Sequence, residues 1–205
     1  MMKFDCELRT LERPGGVVVL AHGSGVTRHD ARALCVAEEL ERGGFASVLV
    51  DLLDAKECRE PHNVFDVELQ ASRLLELTRW LDAERGMQAL ALGYFGTGVG
   101  TGVALRAAAM APERVRAIVS AGGRPDTALY WLARVRAPTL FISDEEGASP
   151  PWYIDAAFQR LDAEKALVAV PSAGHAFEEP GAIQAVAGHA RRWFARHLAG
   201  ARQPA

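Results

Sequence analysis

Short, nearly continuous apolar runs alternate along the chain with longer stretches in which apolar residues recur at helical spacing. The runs at 17–21, 47–50, 89–92, 115–119, 139–142 and 166–170 are too short for helices and carry few polar interruptions. Strands of a parallel sheet covered on both faces have this pattern. Between them, 32–42 places Leu34, Ala37 and Leu40 on one side, and 67–83 aligns Leu74, Leu77 and Leu81 in one stripe. The segment 99–110 is rich in alanine, and 152–161 and 183–198 complete the helical set. The alternation predicts an α/β fold, a doubly wound, mostly parallel sheet of about seven to eight strands with right-handed crossovers. No long insertion separates the late strands, so no large lid is expected. The expected organisation is one domain over 1–199 and a flexible tail over 200–205.

In such sheets ligands sit beyond the carboxyl ends of the strands, so the residues that follow each run are the candidate chemistry. After 17–21 comes His22-Gly23-Ser24-Gly25. It reads either as a glycine-rich turn or as a place where the Ser24 N–H stabilises an oxyanion. After 89–92 comes Gly93-Tyr94-Phe95-Gly96-Thr97-Gly98-Val99-Gly100, opening the alanine-rich helix. A strand, a sharp glycine-flanked turn and a helix form the context of a G-x-S-x-G nucleophile elbow. Here Gly98 stands at the nucleophile position. The dinucleotide pattern G-x-G-x-x-G fails, because the sixth position is Thr101 or Val103, and no Gly-Lys-Ser/Thr is present. After 139–142 the loop Ser143-Asp144-Glu145-Glu146 offers carboxylates to orient a histidine, or is a solvated acidic loop. After 166–170 comes His175 in a small-residue loop, the place of a general base. The order elbow, acid, histidine is that of an α/β-hydrolase triad. No Ser or Cys elsewhere has glycine at both −2 and +2.

Composition narrows the classes. The chain has 205 residues, 49% hydrophobic and 24% charged, with a formal net charge of −3. That balance gives no electrostatic case for nucleic acid or an anionic membrane. Three scattered cysteines, Cys6, Cys35 and Cys58, form neither a disulfide framework nor a metal-ligand spacing. The first residues lack the apolar core of a signal peptide, and no apolar stretch reaches the roughly 18 residues of a spanning helix. A cytoplasmic protein acting on a small molecule, without metal or organic cofactor, is the expectation. Oligomeric state is not readable from the sequence.

The chain resembles the dienelactone-hydrolase-like α/β hydrolases, especially the small group also found fused to phosphoribosyltransferases. The matching stretches are Ala21-His22-Gly23-Ser24-Gly25 with Arg28, Asp51-Leu52-Leu53, Phe65-Asp66, Gly93-Tyr94-Phe95-Gly96, Gly122-Gly123-Arg124-Pro125-Asp126, Ala137-Pro138-Thr139-Leu140 and Gly174-His175-Ala176-Phe177-Glu178-Glu179-Pro180-Gly181. The resemblance implies an ester or lactone hydrolase with His175 as catalytic histidine. It implies Glu146 as the acid, with Asp144 or Glu145 as alternatives, and Ser24 and Val99 as backbone oxyanion donors. Gly98 falls where the family carries its nucleophile. A glycine there favours the left-handed turn while removing covalent chemistry.

Three functions follow from that position. One is a hydrolase carrying an engineered Ser→Gly. Another is a natural enzyme using His175 as a base without a covalent intermediate, for a hydrolytic, lyase or isomerase step. The last is a non-catalytic module that binds a small molecule or a partner. Arg28, Arg124 and Tyr94 are read near the site mouth, where an arginine would favour a carboxylate, or each arginine is read as half of a structural salt bridge. Trp131, Trp152 and Tyr153 are read as an apolar wall or as packing residues.

Overall fold

The computed structural model describes residues 5–22, 27–143, 151–170, 177 and 179–199. Among the described residues seven strands form one sheet: β1 (Asp5–Arg9), β2 (Val17–Ala21), β3 (Ala46–Asp51), β4 (Leu92–Thr97), β5 (Val115–Ala121), β6 (Thr139–Ser143) and β7 (Lys165–Ala169). Their order is β1-β3-β2-β4-β5-β6-β7. Only β1 runs antiparallel, against β3, and every other pairing is parallel. The helices are α1 (Ala31–Arg42), a single turn α2 (Pro61–Val64), α3 (Val67–Ala83), α4 (Gly100–Met110), α5 (Trp152–Arg160) and α6 (Ala182–Leu198).

The side-chain alternation of the strands divides the core in two. Val17, Val19, Val48, Tyr94 and Ile118 face α3, α4 and α5. Val18, Leu20, Leu49, Phe95 and Val119 face α1 and α6. All five residues of β2 are fully buried, which is why 17–21 reads as an unbroken apolar run. α1 is capped by the Asp30 carboxylate, which accepts from the Arg32 N–H, and α3 by Asp66, which accepts from the Leu69 N–H.

Two expectations change. The run at 89–92 is mostly turn, and the strand begins at Leu92 and continues through Gly93-Tyr94-Phe95-Gly96-Thr97. Its glycines are packing sites. A Cβ on Gly93 would lie 2.6 Å from Phe194 Cε1, and one on Gly96 would lie 2.5 Å from the Gly100 carbonyl oxygen. The edge strand β1 was not expected, because Asp5–Arg9 is half-exposed and mixes charge with apolar residues. The expected tail at 200–205 lies outside the described residues.

The strand order fixes where a ligand belongs. From β2 the chain crosses to β3 on one side, then returns past β2 to β4 on the other. The carboxyl ends of β2 and β4 are therefore a topological switch point, the crevice that open α/β sheets use for ligands.

Candidate active site at the switch point

β4 ends at Thr97, and Gly98 follows with φ 56°. Val99 returns to right-handed geometry at φ −63°, ψ −31°, and α4 starts at Gly100. One left-handed residue between strand and helix is the geometry of a nucleophile elbow. A residue with a Cβ pays for that conformation and glycine does not. Thr97, Gly98 and Val99 are half-buried, whereas Gly96 and Gly100 on either side are buried.

The turn is held on all sides. The Gly98 carbonyl accepts from the Thr101 N–H at 3.3 Å, the Thr101 hydroxyl at 2.9 Å and the Arg124 N–H at 3.3 Å. Gly123, at φ 68°, approaches so closely that a Cβ there would lie 2.2 Å from the Gly98 oxygen. A Cβ on Gly100 would lie 2.2 Å from the Ala21 oxygen. The start of α4 thus presses directly on the end of β2. The Thr101 hydroxyl is fully buried and committed to the Gly98 carbonyl, so it is unavailable as a replacement nucleophile. Val99 stands where backbone N–H groups lack intrahelical acceptors, at the positive end of α4.

His22 follows β2 beside this turn. The residue is 8% exposed, and its Nε2 has no hydrogen-bond partner among the described residues. Burial pushes its pKa down to about 4, against the opposing influence of Asp51 and Asp30. The ring is therefore neutral at physiological pH.

One expected site residue sits elsewhere. Tyr94 is fully buried on the α3 face, with its hydroxyl 2.6 Å from Thr78 Oγ1. The Thr78 hydroxyl donates to the Leu74 carbonyl at 2.9 Å, so Tyr94 donates to Thr78. Burial pushes the phenol up to about 12. Side-chain alternation along β4 turns Tyr94 into the core rather than toward the site mouth. Arg28 is ion-paired with Asp51, and its backbone N–H donates to Asp51 Oδ1 at 2.7 Å. That pairing ties the segment after β2 to the end of β3. Trp131 packs between Arg106 and Arg134, with the two guanidinium carbons 4.8 and 5.2 Å from its ring centroid. Gly23, Ser24, Asp144, Glu145, Glu146 and His175 lie outside the described residues.

What the sequence did not single out is the role of Gly122-Gly123-Arg124 as the second support of the elbow. A double glycine at a strand end, both at positive φ, was the available signal.

A crystal structure of dienelactone hydrolase from Anabaena variabilis matches this fold with a TM-score of 0.91 and 43% sequence identity, over 95% of this chain and 92% of that one. The chain belongs to the dienelactone hydrolase family. An esterase of Pyrococcus furiosus shares the fold at a TM-score of 0.71 and 12% identity, over 96% of this chain and 94% of that one. Two curated proteins from strains of Mycobacterium tuberculosis, which carry a provisional phosphoribosyl transferase name, are 47% identical over 189 residues, 92% of this chain. The chain spans 43% of the length of those curated relatives. No family model matches the chain. Among the described residues, no helix is long and apolar enough to cross a membrane.

Proposed function

We propose that the crevice at the ends of β2 and β4 is the site of an ester or lactone hydrolase in which glycine stands at the position of the covalent nucleophile. The observation that carries this reading is the elbow at Gly98. It has the left-handed φ of a nucleophile turn and a carbonyl held by three donors, with no side chain at its tip. Family membership supports an ester or lactone carbonyl as the recognised group.

In this reading the Val99 N–H, with that of Ser24, stabilises negative charge on the carbonyl oxygen. His175, oriented by Glu146 or a neighbouring carboxylate of the 144–146 loop, is the base. With glycine at position 98 the base has no hydroxyl to deprotonate, so no acyl-enzyme forms. Any turnover by the chain itself passes through water activated by His175, at the low level that nucleophile-deleted hydrolases retain.

The test is a gain of function. The Gly98→Ser variant is expected to hydrolyse an activated aryl ester at a rate at least a hundredfold above the native chain, on the order of a deleted nucleophile's effect. Adding His175→Ala is expected to abolish the gain. A folded Gly98→Ser variant that is inert across esters and lactones would refute the reading. Saturable ligand binding without turnover would then leave a binding module.

A further inference from the structure

Arg124 joins the elbow to an aromatic pair. Its N–H donates to the Gly98 carbonyl, while its side chain leaves toward the start of α5. There the guanidinium carbon lies 5.7 Å from the Trp152 ring centroid and 5.6 Å from that of Tyr153. The two rings meet edge to face, with centroids 5.8 Å apart and planes at 84°. The guanidinium is fixed from the other side by Asp126, which accepts from Nε at 2.7 Å and from Nη2 at 2.6 Å. The Asp126 side chain is only 9% exposed, so this fork is a built feature rather than a loose surface pair. Among the described residues no acceptor meets Nη1.

The exposure of Trp152 is what needs explaining. The residue is 67% exposed, although Ile154 and Ala157 on the same helix are buried in the core. An indole held open to solvent, beside a clamped cation and one arginine side chain away from the elbow, has the makings of a binding surface. The charge balance narrows the ligand. Asp126 already neutralises Arg124, so an anionic ligand gains little net attraction. A planar π system gains from both partners, since it stacks on the indole and on the guanidinium plane.

We propose that Trp152, Tyr153 and Arg124 form the subsite for a neutral aromatic group of the ester or lactone bound at the elbow, with an oxygen on that group accepting from Nη1 of Arg124. This rests on the ester-site reading for the identity of the reacting group, and on the aromatic cluster alone for the ring. The substrate class is therefore an aryl ester or an aryl-fused lactone rather than an aliphatic one.

Two probes matched in size and differing in planarity test it: methyl 4-hydroxybenzoate and methyl 4-hydroxycyclohexanecarboxylate, titrated into the native chain by NMR. The aromatic ester is expected to bind about three- to tenfold more tightly, the range of an aromatic pairing. That ratio is expected to fall toward one in Trp152→Leu and to survive in part in Trp152→Phe, which keeps a ring. Equal affinities in the native chain, or a ratio unchanged in a folded Trp152→Leu, would overturn the subsite. The Gly98→Ser variant separates the two ideas. If it hydrolyses both esters with a KM ratio indifferent to residue 152, the subsite is wrong and the ester reading stands. If it hydrolyses neither, while the native chain keeps a Trp152-dependent aromatic preference, the ester reading is wrong and the subsite stands.

Discussion

At Gly98 a backbone requirement and a chemical one pull apart. The turn demands φ 56°, which glycine adopts freely and an L-residue adopts at about 1–2 kcal/mol. A serine at such a position is strained in exchange for reactivity, and glycine returns the strain and forfeits the chemistry. Gly98→Ala and Gly98→Ser are therefore expected to lower the unfolding free energy by similar amounts, about 1–2 kcal/mol, in urea titrations. Only the second is expected to gain hydrolysis. If Gly98→Ala is fully neutral, the strain assigned to this turn is wrong. The Thr101 hydroxyl does not fill the gap, because its oxygen is buried and donates to the Gly98 carbonyl.

At the scale of elements, the elbow is where β2, β4, α4 and the segment after β5 meet without side chains between them. Gly100 presses on the Ala21 carbonyl, and Gly123 on Gly98. Gly100→Ala is expected to cost about 3 kcal/mol, the upper range for overpacking, because the opposing atom is backbone and cannot rotate away. Thermal unfolding checks this, and a loss below about 0.5 kcal/mol would mean that the interface relaxes easily. Close-packed glycines also explain what the sequence conceals. β2, β3, β5 and β6 were legible because β-branched and apolar residues run unbroken through them. β4 was set too early because Gly93 and Gly96 read as turn residues, although they serve close packing against Phe194 and α4. At the site, the elbow was legible from its glycine spacing at a strand–helix junction. Tyr94 was misplaced because strand alternation sends it to the opposite layer. The partner of Arg28 was not legible, because Asp51 is distant in sequence and meets it through the pairing of β2 with β3.

For the whole molecule, the buried neutral ring of His22 couples the site to global stability. Its folded pKa, about 4, lies below the ordinary value of 6.5. Between those values the unfolded chain binds a proton that the folded chain refuses. Stability is thus complete above pH 6.5 and falls as the pH drops toward 4, by at most about 3 kcal/mol from this group. Asp30 and Glu39 are held below their ordinary values by hydrogen bonds from arginines, so their stabilisation is lost at still lower pH. Melting temperatures of the His22→Gln variant are expected to decline less steeply from pH 6.5 to 4.5 than those of the native chain, the remaining slope coming from His189 and His197, whose pKa values burial also lowers. Parallel curves would place the proton-sensitive group elsewhere. The most direct measurement of the empty nucleophile position is intact-mass analysis after exposure to an alkyl fluorophosphonate. The native chain is expected to stay unmodified, Gly98→Ser to take one adduct mapping to residue 98, and the added His175→Ala to prevent it. A native chain labelled at another hydroxyl, or a folded Gly98→Ser variant left unlabelled, would contradict an intact hydrolase site lacking only its nucleophile.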